Sequence, residues 1–109
     1  MIVYHRTNDV AAKVILREGF RDRRGKYMME IEVEGVFVSN IPLDANEGAK
    51  GRALLRITLP LTESDLEYYE LVEDGKPYRE WVVPAALLDQ GRIELWDDTD
   101  EPLDARFQS

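Results

Sequence analysis

The sequence predicts an α+β domain, and three observations carry that reading. One early stretch sets its apolar residues, Val10, Ala11, Val14 and Ile15, at helical spacing. Further on, Met29, Ile31 and Val33 alternate with Glu30, Glu32 and Glu34, the period of a strand with one wet face. Ala53–Leu59 adds a run rich in leucine and β-branched residues. One helix followed by short strands points to α+β rather than to a parallel sheet of alternating strands and helices.

Taken in order, Ile2-Val3-Tyr4 is a β-prone run that ends in the polar corner His5-Arg6-Thr7. Asn8 or Asp9 supplies an N-cap, because a side-chain oxygen there accepts from backbone N–H groups that lack helical partners. The helix then runs about three turns to Glu18, and Gly19 provides the residue that stops it. Phe20 returns to the core, Arg21–Lys26 reads as a basic loop, and Tyr27–Val33 as a strand. Gly35–Ser39 is a second, more buried strand, with the glycine allowing a turn or a close approach. Asn40–Gly51 reads as loop with one helical turn. Ala53–Leu59 is a strand, and Thr62-x-x-Asp65 a capping box for a short helix near Leu66. Asp74-Gly75 is a turn signal. Trp81–Val83 is a strand ended by Pro84, Ala85–Leu88 one helical turn closed by Gly91, and Arg92–Trp96 a last strand. This gives a single domain over residues 1–96 and an acidic tail over residues 97–109.

Charge and composition exclude several functions. Lys and Arg number 14 against 22 Asp and Glu, a net charge of −8 at pH 7, which opposes general binding to a phosphate backbone. The absence of cysteine removes disulfides, thiolate nucleophiles and cysteine-ligated metals. A single histidine, His5, excludes a multi-histidine metal site within one chain. No apolar run approaches the roughly 20 residues of a membrane-spanning helix, and no basic segment precedes an apolar one at Met1. The expectation is an acidic cytoplasmic protein, without a metal and without a membrane or nucleic-acid partner.

Singly, His5 reads as a hydrogen-bonded strand-end residue, Phe37 as core and Glu80 as a solvated edge residue. Their arrangement says more. The chain offers His5-Arg6-Thr7, then Gly35-Val36-Phe37-Val38-Ser39 with the small-residue stretch Ala45–Ala49 behind it, then Glu80-Trp81-Val82-Val83. In this order the three motifs resemble those of the ADP-ribosyltransferase superfamily. The branch is the one marked by a histidine, an aromatic and a glutamate, which includes diphtheria-toxin-like, poly(ADP-ribose)-polymerase-like and RNA 2′-phosphotransferase-like domains. The resemblance implies a split antiparallel β-sandwich with one main N-terminal helix and short helical turns. It implies NAD+ as co-substrate, and His5, Phe37 and Glu80 lining one cleft between two small sheets. Glu80 would be the catalytic carboxylate, bonded to the ribose 2′-hydroxyl. His5 would bind a ribose hydroxyl and backbone groups of Arg6 and Thr7 the nicotinamide amide, while Ser39 either touches the ribose or satisfies its own backbone. Phe37 or Tyr27 would stack on the nicotinamide ring.

Two departures bear on activity. Phe37 stands where the family carries tyrosine, which keeps stacking and loses a phenolic hydrogen bond. Residue 78 is tyrosine, so the Glu-x-Glu motif of arginine-directed transferases is absent. The basic run Arg21–Lys26 is either a solvated loop or a clamp for the pyrophosphate or an acidic acceptor. The reading is a small, toxin-like ADP-ribosyltransferase acting on a protein or small molecule. The alternatives are an NAD+ glycohydrolase, a binding module with a degenerate NAD+ cleft, and an inhibitory partner with an acidic surface. An RNA 2′-phosphotransferase would need a cationic groove, against which −8 argues.

Overall fold

The computed structural model describes residues 1–27, 31–43 and 51–96. Its elements are β1 (Ile2–Thr7), α1 (Asp9–Glu18), β2 (Arg23–Tyr27), β3 (Ile31–Ser39), β4 (Ala53–Thr58), α2 (Glu63–Leu66), β5 (Glu70–Leu71), β6 (Glu80–Val83), α3 (Ala85–Leu88) and β7 (Arg92–Trp96). The strands form an antiparallel sheet in the order β5-β6-β3-β1-β4-β7, with β2 paired to the first half of β3. The fold is therefore a small α+β domain.

Register assigns the two faces. Val3 pairs with Ile57 and His5 with Leu55, while Val38 pairs with Trp81 and Val36 with Val83. Val3, Leu55, Ile57, Trp81 and Val83 are fully buried in one core with Ala12 of α1, Leu66 of α2 and Leu88 of α3. The helices thus cover this face. Opposite it lie Tyr4 with Arg56 and Ser39, Phe37 with Val82, and Glu80 beside Ser39. On that second face the Arg56 guanidinium stacks 3.6 Å above the Trp96 ring and donates to Glu94 Oε1.

The strand pairings are uneven around β1. Along β4 the register holds from Ile2↔Thr58 to Thr7↔Ala53, whereas with β3 it is Tyr4↔Ser39. The expected two small sheets are therefore continuous through one point, beyond which β1 and β3 separate.

Local chemistry explains the helix ends. Asn8 Oδ1 accepts from the Ala11 N–H at 2.7 Å, and Gly19, with φ 88°, sends its N–H to the Ile15 carbonyl at 2.8 Å. Glycine adopts that dihedral without the steric penalty of a Cβ. Thr62 and Asp65 exchange side-chain-to-backbone bonds as the predicted capping box at α2. Asp22 accepts the Ala85 N–H at 2.7 Å at the start of α3, and Asp89, just past its end, accepts the Phe20 N–H at 2.8 Å. These two carboxylates fasten the Gly19–Asp22 corner to α3.

Three expectations change. The basic run expected as loop is in part a strand, because Arg23 to Tyr27 form a ladder with Gly35 to Ile31. Ladder bonds from an adjacent strand override low intrinsic β-propensity. The two strands expected on either side of Glu34 are one, β3, which passes through Gly35 at φ 143°. A Cβ at Gly35 would meet Val82 Cγ1 at 2.8 Å, so the glycine serves close approach to β6 rather than a turn. The short strand β5 is an addition to the sequence reading. The helical turn expected within Asn40–Gly51, the residues Met28 to Glu30 and the acidic tail fall largely or wholly outside the described residues. No helix among the described residues is long and apolar enough to cross a membrane.

Candidate functional site

The site begins where β1 leaves β3. In a regular antiparallel ladder Tyr4↔Ser39 would be followed by His5 opposite Val38 and then Arg6 opposite Phe37. Instead the His5 ring crosses the gap, its Nδ1 lying 2.7 Å from the Phe37 carbonyl oxygen. A carbonyl only accepts, so Nδ1 carries the proton and donates. In the neutral ring this fixes Nε2 as the acceptor nitrogen. Phe20 meets the imidazole edge-on, with ring centroids 5.3 Å apart at 85°. The ring is thus oriented from two sides, by a backbone acceptor on β3 and by an aromatic fastened to α3.

His5 opens onto a pocket of about 830 Å³ between the end of β1, α1, the Gly19–Arg21 corner and Gly35–Phe37. That size lies within the range of small-molecule sites, roughly 300–1,000 Å³. Val10, Ala11, Val14 and Ile15, the stripe that predicts the helix, line this pocket. Ala12 is the α1 residue buried in the core, and Val10 is 74% exposed. Part of the apolar face of α1 therefore walls a cavity rather than the core. Arg6 and Thr7 line the pocket too. The Arg6 guanidinium also donates through Nε to the Leu43 carbonyl, which ties down the chain leaving β3. Gly51 lies so close to the Thr7 carbonyl that any Cβ there would collide with backbone.

Among the other expected residues, Phe37 lines the pocket and shares the second sheet face with Ser39 and Glu80. Ser39 is 4% exposed and donates to the Ile41 carbonyl at 2.6 Å, so its hydroxyl proton serves the turn after β3. Tyr27 ends β2 opposite Ile31. Glu80 is not among the residues lining the pocket. The expected single cleft is therefore divided. His5, Arg6, Thr7 and Phe37 line the pocket, while Glu80 stands on β6 on the sheet face opposite that of His5, against the expectation that the three line one cleft. Pairing explains this, since Glu80 opposite Ser39 follows the parity of Tyr4 and His5 follows that of Val3. Phe37 and Glu80 are diagonal cross-strand neighbours on one face, a relation that sets Cα atoms about 7–8 Å apart.

Around Glu80 the electrostatics are organised. Lys76 Nζ lies 3.3 Å from Glu80 Oε1 and 2.8 Å from Glu73 Oε2, and 5.3 Å from the centre of the Tyr78 ring. Hydrogen bonding to Glu73 raises the Lys76 pKa beyond the usual lysine range; burial opposes this, and Tyr78 and Glu80 add to it. One residue before Glu80, Arg79 donates to both oxygens of Glu70, at 2.9 and 2.8 Å, and to Glu63 at 2.8 Å. The Arg79 hydrogen bond holds the Glu70 carboxyl below its ordinary range, against burial. Asn40 and Arg79 exchange two more bonds, locking the end of β3 to the start of β6. Among the described residues no cluster of three or more His, Cys, Asp or Glu side chains is arranged to hold a metal ion.

Sequence reasoning missed Phe20 as the partner of His5 and Lys76 as the partner of Glu80. Lys76 was within reach, because Glu73, Lys76 and Glu80 have the i, i+3 and i+4 spacings of neighbouring side chains, though in a turn rather than a helix. Phe20 was not, since nothing local links it to His5. No family model, curated protein or solved structure matches the chain.

Proposed function

We propose that the chain is a small NAD+-dependent ADP-ribosyltransferase acting in the cytoplasm on a protein or small-molecule acceptor. One observation carries the reading. The three motif residues fall on three adjacent strands, β1, β3 and β6, with His5 bonded to the Phe37 carbonyl across the gap between β1 and β3 and Glu80 one strand beyond it. The split sandwich of that superfamily is the finer reading of this gap, with β5, β6 and β3 on one side and β1, β4 and β7 on the other.

In this account the nicotinamide ring stacks on Phe37, and the attached ribose extends toward Glu80. His5 Nε2 accepts from a ribose hydroxyl, and backbone groups of Arg6 and Thr7 bind the carboxamide. The bond between ribose C1′ and the nicotinamide nitrogen breaks, its electron pair leaving with neutral nicotinamide. Positive charge grows on the ribose as in glycoside cleavage, and the Glu80 carboxylate stabilises it. The acceptor then attacks C1′ and gives up a proton. With water as acceptor the same steps make a glycohydrolase.

A second reading has its own support. Glu80 is paired with Lys76, and Phe37 lacks a phenol, features of an NAD+-binding module without turnover. Free nicotinamide after incubation with NAD+ separates the two. The transferase reading expects release that Glu80→Gln reduces by about two to three orders of magnitude, with binding retained. Binding without release supports the module, and neither binding nor release overturns both readings.

A further inference from the structure

The turn between β5 and β6 holds a cation against the carboxylate that the transferase reading needs to be negative. Asp74-Gly75 forms the bend, with Gly75 at φ 85°, and a Cβ on Gly75 would meet nothing within 4 Å. The bend folds Lys76 back between two acids, Glu73 at 2.8 Å and Glu80 at 3.3 Å. The shorter contact is to the acid remote from the site. Glu80 is the more enclosed acid, its side chain 17% exposed against 32% for Glu73. The ammonium is therefore shared unequally between the two acids.

Resting on the proposed transferase reading, we propose that Lys76 is a movable counter-charge on Glu80. In the absence of substrate it screens the carboxylate, and it transfers to Glu73 when the cationic nicotinamide-ribosyl group of NAD+ approaches. Two like charges cannot share one carboxylate without cost, and Glu73 gives the displaced ammonium a partner already in hydrogen-bond contact. Lys76 acts through Glu80 and is a positioning residue. The two neighbours then oppose each other. Removing Lys76 unmasks Glu80, whereas removing the Glu73 charge confines Lys76 to Glu80.

The test combines kinetics with a measurement that needs no nucleotide. Lys76→Met is expected to speed nicotinamide release about fivefold, and Glu73→Gln to slow it about fivefold, the scale of a partly exposed ion pair. Lys76→Arg keeps the charge and is expected to restore the wild-type rate. Without nucleotide, the 15N resonance of the Lys76 ammonium is expected to move in both Glu73→Gln and Glu80→Gln. Movement in Glu73→Gln alone overturns the sharing. Slower release in Lys76→Met, or unchanged release in both Lys76→Met and Glu73→Gln, overturns the counter-charge while leaving the transferase standing. No release from any of these proteins, with both resonance shifts present, overturns the transferase reading and the counter-charge role with it.

Discussion

At position 80 the carboxylate has two calls on its charge, Lys76 at 3.3 Å and the ribose of a bound NAD+ in the proposed reaction. Glu80→Gln keeps the volume and the hydrogen-bonding capacity and deletes the charge, so it isolates that contribution in the nicotinamide assay. At position 5 the imidazole is oriented before any ligand arrives, by the Phe37 carbonyl and the Phe20 ring. A ligand that binds only the folded protein raises Tm by mass action. His5→Ala is therefore expected to abolish most of the Tm rise produced by NAD+, as read by differential scanning fluorimetry. An equal rise in both proteins would make His5 purely structural. Phe37→Tyr restores the phenol expected from the resemblance, and faster nicotinamide release is the expected result. No change would mean that the aromatic face alone matters. The identities of these residues were legible in the sequence because motif order survives without coordinates. The partner of His5 was not, because Phe20 reaches it through a fold of the chain that spacing does not encode, whereas the Lys76–Glu80 pair has an i, i+4 spacing that could have been read.

The elements show the same division. The caps of α1 and α2 are local chemistry, and Asn8, Gly19, Thr62 and Asp65 stand where their side chains or dihedrals require. Thr62→Ala removes one half of the capping box and is expected to cost about 1 kcal/mol, measured by urea unfolding. β2 was hidden, because Arg23 to Lys26 have little β-propensity and their ladder depends on its partner strand. Gly35 misled for a related reason: its missing side chain makes room for Val82 and Val83 on β6, a contact between strands distant in sequence. Gly35→Ala combines that collision with an unfavourable φ, and a lowered Tm is expected. The Glu70–Arg79 link ties β5 to the residue before β6 and has a pH signature. Glu70 has a lowered pKa in the folded protein, so its contribution is present above the ordinary value of 4.5 and is lost as pH falls through the lowered one. Glu70→Gln is expected to be less stable than the parent at pH 7, with the gap closing on acidification. A gap that stays constant down to the acid transition would deny the link.

Across the whole molecule, one sheet divides the work between its faces. One is buried under α1, α2 and α3, around Leu55, Ile57 and Trp81. The other carries Phe37, Ser39 and Glu80 beside the Arg56–Trp96 stack. The α+β class was legible from periodicity, but strand order was not, since pairing between β1 and β4 or β3 and β6 spans long stretches of chain. Leu55 lies at the centre of the buried face, and Leu55→Ala is expected to cost about 2–5 kcal/mol in urea unfolding. The proposed function requires one ligand at the gap beside β1 to reach His5, Phe37 and also Glu80, which stands on the face opposite His5. A crystal structure with NAD+ bound tests this most directly. The account predicts nicotinamide against the Phe37 ring, a ribose hydroxyl on His5 Nε2, and the nicotinamide ribose on Glu80 with Lys76 moved to Glu73. NAD+ seated away from Phe37, or a Glu80 carboxylate still paired with Lys76 and out of reach of the ribose, would contradict it.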